Sequence, residues 1–299
     1  MSMELADLID PNAELRQLGS GYQFTEGPVW IAAQNCLEFV DIPGDVRWRW
    51  TEQGGMEIAQ QPMFKASGLA LDAQGHLVAC EGLSSCVARF VDGRREAIAY
   101  HYQGRYLNSP NDLCTRSDGS IYFTDPDYGR WNDWIGQERS RDNLGFRGLF
   151  RIPPDGGELE LVVAEDEFDQ PNGICLSPDE SLLYVNDSGA RQVKVFEVAA
   201  DGSLSAGRLF ADEIGSGVPK EGNVDGMECD EHGNVWVTGP NGVWVLTPDG
   251  EHIGTVETPE VCGSLAWGGE DMHSLFLMTS TTVHVVRTIV GPAPLPPDR

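Results

Sequence analysis

The chain has 299 residues, of which 40% are hydrophobic and 9% aromatic, enough for a core and incompatible with a disordered chain. Its 35 Gly and 18 Pro exceed the usual combined share of about 12%, so turns are frequent, strands are short and a helical bundle is excluded. With 20 basic against 47 acidic residues the net charge is -27, which repels nucleic acid and anionic membrane surfaces and draws cations.

Residues 1–12 read as an N-terminal extension. The stretch MSMELADLIDPNAEL lacks the basic n-region and apolar h-region of a signal peptide. No apolar run approaches the ~20 residues that span a bilayer. The expectation is a soluble, cytoplasmic protein, as a monomer or a homodimer. Seven cysteines, an odd number with no CxxC, fit reduced and mostly buried thiols. A Cys80–Cys86 disulfide is the alternative that this compartment disfavours.

Residues 13–24 carry strand character and are expected to supply the outermost strand of the last repeat. A strand–turn–strand unit then recurs along the chain. Glu26 begins EGPVWIAAQNCLEFVD, and Ser67 begins SGLALDAQGHLVACEG, followed by VARFVDG. Pro110 begins PNDLCTRSDGSIYFTD, continued by GLFRIPPDG from Gly148. The clearest copy, PNGICLSPDESLLYVNDSGARQVKVFEVAAD, covers 171–201. Val224 begins VDGMECDEHGNVWVTGPNGVWVLTPDG, and Gly263 begins a weaker copy, GSLAWGGEDMHSLFLMTSTTVHVVR.

Six repeats of about 40–60 residues, each of three or four strands, predict an all-β fold, a six-bladed β-propeller forming one domain over 1–299. A β-sandwich has no reason for sixfold self-similarity, and the helices of a TIM barrel are absent. The longest step, between the third and fourth copies, leaves room for an insertion at 126–147. It reads as a lid loop over one face. Residues 291–299, GPAPLPPDR, read as a loose tail.

Innermost strands of a propeller start at the central channel, so equivalent positions form a ring. That register is Glu26, Ser67, Asn111, Asn172, Asp225 and Gly263. Four of the six carry a carboxylate or carboxamide oxygen. Hard oxygen donors without thiolate or imidazole suit a divalent cation. Ca²⁺, which takes 6–8 oxygens flexibly, matches best, with Mn²⁺, Mg²⁺, Zn²⁺ or Fe²⁺ as alternatives. Two carboxylates and two amides leave positions open for water or substrate. Asn and Asp also cap turns, but four at one register favour the metal site. A second register, Asp41, Glu81, Asp125 and Asp187, follows the second strand of the first four copies. There turn stabilisation is the simpler expectation, with a second cation site as the alternative.

GxSxG, HExxH, GxxxxGK[ST] and GxGxxG are all absent. DPDYG at 125–129 puts Gly at the fifth position, unlike an EF-hand. The six His show no ligand spacing, and His232 and His252 fall in hairpin turns, where exposure is expected. Any chemistry must come from metal and carboxylate.

TEGPVW (25–30), RYLNSPND (105–112), DGSIYFTDPDYG (118–129), PNGICLSPDESLLYVND (171–187) and VDGMECDEHGNVWV (224–237) together resemble the gluconolactonase/regucalcin family, also called the senescence-marker-protein/gluconolactonase/luciferin-regenerating-enzyme-like family. The resemblance covers roughly 20–290 and is strongest to bacterial sugar lactonases. It implies a six-bladed propeller with a divalent cation, usually Ca²⁺, in the channel. It places metal ligands at Glu26, Asn172 and Asp225, and Asn111 on the metal or on substrate. Asp225 doubles as the catalytic carboxylate. The family often carries an Arg at the place of Tyr106; here Arg105 stands beside it.

The expected function is metal-dependent hydrolysis of a sugar-acid lactone to the aldonic acid. The cation would stabilise the oxyanion, and Asp225 would act as general base toward water or as nucleophile. Arg105, Asn108, Ser109 and Tyr128 are the candidate readers of the sugar hydroxyls. Rival expectations are hydrolysis of aryl lactones or organophosphates on the same metal, and a non-enzymatic calcium-binding propeller.

Overall fold

The computed structural model describes residues 3–127, 143–163 and 165–293. Its strands form six four-stranded antiparallel sheets. A small hairpin, His101–Tyr102 paired with Arg105–Tyr106, stands between the second and third. Among the described residues the only helical pieces are two single 3₁₀ turns, Leu5–Asp7 and Ala32–Gln34.

Five sheets are continuous in sequence. The sixth takes Ser264–Gly268, Ser274–Thr279 and Thr282–Arg287 from the C-terminal end and Arg16–Ser20 from the N-terminal end. Arg16 lies opposite Val285 and Ser20 opposite Thr282, so the two ends of the chain close one ring. The strand expected near 13–24 is this one.

Six apolar clusters hold the ring together, one between each pair of neighbouring blades. Alternation along a strand makes this work. In Cys36–Asp41, Leu37 and Phe39 point into the cluster shared with blade 6, while Val40 points into the one shared with blade 2. Both faces of a middle strand are therefore covered, and such strands read as buried throughout.

The inner strands are Thr25–Ile31, Ala66–Leu71, Leu113–Thr115, Pro171–Leu176, Met227–Cys229 and Ser264–Gly268. Glu26, Ser67 and Asn172 are second residues of their strands. Asn111, Asp225 and Gly263 come one or two residues before theirs. In blades 1, 2 and 4 the pairing slips just past the ring residue, between Glu26 and Val29, Ala66 and Leu69, and Pro171 and Ile174. Such bulges free a side chain from the sheet's alternation and re-aim it.

Two terminal segments are more tightly held than their composition suggests. Leu8, within the N-terminal extension, is buried against the cluster between blades 5 and 6. The tail is docked at its start: Glu231 N donates to Gly291 O at 3.1 Å and Ala293 N to Cys229 O at 2.8 Å. Residues 291–293 of the expected loose tail are therefore held, and 294–299 lie outside the described residues. None of the seven cysteines is in a disulfide, and only Cys114 is not fully buried. His232 and His252 are exposed, as their turns implied. No helix among the described residues is long and apolar enough to cross a membrane.

Candidate functional site at the propeller axis

From blade 3 to blade 6 the start of the inner strand is held by the preceding blade. Ser67 Oγ and Gly68 N both donate to Asn111 O, at 2.6 and 2.7 Å. Thr124 Oγ1 donates to Asn172 O at 2.8 Å and Asn186 Nδ2 to Asp225 O at 2.5 Å. Gly226 N donates to Gly263 O at 2.7 Å. The backbone of every ring residue from blade 3 to blade 6 is thus fixed by a donor from the preceding blade. Ser67, turned toward Asn111, is used up in this way.

Three of the ring side chains lie together. Glu26 and Asp225 are adjacent, and the Asn172 amide lies beside Asp225. Gly263 leaves the room for Glu26, because a Cβ there would fall 2.3 Å from Glu26 Oε1. Glu26 Oε2 accepts the Gly27 N–H at 3.0 Å, whereas Oε1 is buried with no donor facing it. Neither Glu26 nor Asp225 has an ion-pair partner among the described residues. No group of three or more His, Cys, Asp or Glu suited to a metal occurs among those residues. The ring instead combines two carboxylates with the Asn172 amide, and Asn111 stands at the equivalent position of blade 3.

Burial pushes Asp225 up to about 7; the Asn172 amide opposes the rise and the charge of Asp112 adds to it. Burial, and then the Asp225 charge, pushes Glu26 well above its ordinary value. Two crowded carboxylates cannot both ionise cheaply, so without a cation the pair shares a proton.

Two further carboxylates line the bore and were missed in the sequence. Asp112, raised to about 7 by burial, accepts Leu113 N at 2.9 Å and Ile174 N at 3.3 Å. Glu228 is raised to about 8 by burial and then by the Asp112 charge. Protein surrounds Asp112, Asp225 and Glu228, yet each keeps a solvent-facing edge. A signal for both was present. Four of the copies read EG, SG, NG and DG at the ring, but blade 3 reads ND. At the third residue after the ring position, Glu228 replaces Val29, Ala70, Cys114, Cys175 or Ala266 of the other copies.

The second register of acids stabilises turns. Asp41 accepts the N–H groups of Gln23, Phe24 and Gly44 at 3.1, 3.1 and 3.2 Å. Asp187 accepts those of Asp169 and Gln170 at 2.7 and 2.8 Å. Asp125 accepts Asn108 N at 2.8 Å. These three hold the segment that leads into their own blade's inner strand. Glu81 instead meets Arg95, with Nε at 2.7 Å.

The expected substrate-reading residues fall in three places. Asn108 and Ser109 are buried, with donors spent on backbone: Asn108 Nδ2 on Phe146 O at 2.8 Å and Ser109 Oγ on Pro126 O at 2.9 Å. Both therefore anchor the two ends of the 126–147 insertion, which Arg147 and Asp127 join by an ion pair at 3.0 Å. Arg105 is exposed on the small hairpin and runs against Gly145. Tyr128 lies outside the described residues, as does most of the insertion. Asp125 and Gly148, from which that insertion departs, pair at the end of the blade where Asn111 stands.

A model of the SMP-30/Gluconolactonase/LRE-like region matches residues 24–281. The chain belongs to this family. A gluconolactonase from Zymomonas mobilis is 30% identical, over 96% of this chain and 85% of that one. Regucalcin from Bos taurus is 27% identical, over 84% of this chain and 81% of its own length. The solved structure of a gluconolactonase from Xanthomonas campestris superposes with a TM-score of 0.86 at 32% identity, covering 95% of this chain and 92% of that one. The family match spans all six ring positions, from Glu26 to Gly263.

Proposed function

We propose that this family member is a lactonase that opens sugar-acid lactones to aldonic acids with a divalent cation, Ca²⁺ by preference, at the propeller axis. The carrying observation is Glu26 Oε1, buried without a donor beside a second carboxylate, Asp225, with no basic residue among the described residues paired to either. Such an arrangement fits a hard cation, which would lower both carboxyls into their ionised forms. Glu26, Asn111, Asn172 and Asp225 are the residues that would hold it. A bound cation supplies Lewis-acid stabilisation of the charge that builds on the ester carbonyl oxygen.

The chain's own residues do the rest. Asp225, ionised, takes a proton from the attacking water as general base. As that water adds, the ring C–O bond breaks and the proton passes to the departing ring oxygen. Direct attack by Asp225 on the carbonyl is the alternative use of the same oxygen. Arg105, on the small hairpin beside Gly145, would meet substrate hydroxyls. Asn108 and Ser109 act on substrate through the insertion that they anchor. Relatives named gluconolactonase, at 30% and 32% identity over nearly the whole chain, support the substrate class.

A panel of sugar-acid lactones, aryl lactones and organophosphates, assayed with and without chelator, tests this. Sugar lactones should be hydrolysed, activity should vanish in excess chelator, and Ca²⁺ should restore it. Full activity in a demonstrably metal-free sample removes the cation's role. Activity confined to aryl lactones or organophosphates replaces the substrate class.

A further inference from the structure

Ser188 follows directly on the second strand of blade 4, Leu182–Asp187, in the turn into that blade's third strand, Gln192–Glu197. Every polar atom it has is used. Its N donates to Gln170 O at 2.9 Å, and its O accepts Asn223 Nδ2 at 2.8 Å. Its Oγ lies 2.7 Å from Val224 O and 2.9 Å from Asn172 Nδ2. These partners lead into two ring positions. Gln170 precedes Asn172, and Asn223 and Val224 precede Asp225.

Proton counting sets the direction of the bonds. A backbone carbonyl cannot donate, so the single hydroxyl hydrogen of Ser188 goes to Val224 O. With that hydrogen spent, Ser188 Oγ only accepts at the Asn172 contact. The end of the amide that meets it must be the NH₂. The Asn172 Oδ1 is then the opposite end.

We propose that Ser188 is a positioning residue that fixes which way round the Asn172 amide stands, so that its oxygen is offered to a cation at the axis. This rests on the cation site of the proposed function and adds the residue that aims one of its ligands. The amine end already faces Asp225, whose rise it opposes; without Ser188 the amide loses its second hold and is free to turn its NH₂ into the axis. Cation binding must then turn the amide over. Partners that orient a metal ligand in this way are typically worth 10–100-fold in affinity.

The test is Ca²⁺ affinity of the full-length protein by titration calorimetry, with thermal unfolding in chelator as a check on folding. Ser188→Ala should weaken binding about tenfold. Ser188→Thr, which keeps the hydroxyl, should stay within about threefold of the parent. Ser188→Cys keeps the volume but offers a weak acceptor, and it should lose affinity even if the Ala variant fails to fold. The decisive comparison uses Asn172→Asp, whose two ends are both oxygen. In that background Ser188→Ala should cost less than about twofold, because no amide remains to be turned. Equal losses in both backgrounds would show that Ser188 merely braces the backbone at Val224, and unchanged affinity in Ser188→Ala and Ser188→Cys overturns the role outright. A parent protein that binds no divalent cation overturns the underlying site and this role together.

Discussion

Gly173 stands directly against the backbone of Asp225: a Cβ added at Gly173 would fall 2.0 Å from Asp225 O. The same contact recurs around the ring. A Cβ at Gly27 would fall 1.9 Å from Ser67 O, and one at Gly226 would fall 2.3 Å from Ser264 Oγ. The glycine after a ring residue is there because the next blade's main chain occupies the space of a side chain. That close approach makes the ring narrow enough for Glu26, Asn172 and Asp225 to meet.

Gly173→Ala should therefore cost on the order of 3 kcal/mol through overpacking, and it should also weaken cation binding. Gly75→Ala is the control. Gly75 has φ +78 but nothing within 4 Å of an added Cβ, so only the left-handed backbone is penalised. That penalty is about 1–2 kcal/mol. Urea unfolding of both variants decides the matter. Equal losses would mean that the contact with Asp225 relaxes without cost.

The bore predicts an unusual pH dependence. Asp112 and Asp225 are pushed up to about 7, Glu228 to about 8, and Glu26 well above its ordinary value. In the unfolded chain such groups ionise near pH 4. Between about pH 4.5 and 8 the folded, cation-free protein binds more protons than the unfolded chain, so stability falls as pH rises. Protein in chelator should lose on the order of 5 °C in Tm from pH 5 to pH 8. Ca²⁺ selects the ionised form, so its stabilising increment should grow over the same range. A Tm in chelator that climbs from pH 5 to 8 would show that these carboxyls are already ionised in the folded protein.

Asp225→Asn keeps an oxygen of the same size but removes the proposed proton acceptor. With Ca²⁺ saturating, kcat on a sugar lactone should fall at least ~10²-fold. Asn172→Asp changes the ring charge in the opposite direction and should alter cation affinity more than kcat. If Asp225→Asn keeps more than about a tenth of parental kcat, the base lies elsewhere and Glu26 becomes the next candidate.

Glu26→Gln removes one of the two anionic ligands. Cation affinity should drop at least ~10-fold, with recovery of activity at high Ca²⁺. The cation-free protein should become more stable, because a buried carboxyl crowded by Asp225 is replaced by a neutral amide. A variant that binds Ca²⁺ as tightly as the parent would remove Glu26 from the ligand set.

The sequence by itself determined the six blades, the ring closure by a strand near the N-terminus, and which residues start the inner strands. Each repeat spells out its own strands and turns locally, and equivalent starts in a closed ring have to meet at the axis. Glu26, Asn172 and Asp225 could be named for that reason. Only the tertiary structure decided what faces what between blades. It showed that Ser67 is spent on Asn111, that Asn108 and Ser109 anchor an insertion, and that Asp112 and Glu228 join the acidic bore. It also showed that Ser188 links Asn172 to Val224. Those contacts join residues 16 to 62 positions apart, such as Asn172 with Ser188 and Asp112 with Ile174. A local repeat pattern does not encode them; they follow from how closely neighbouring blades approach, and their glycines and hydroxyls set that distance.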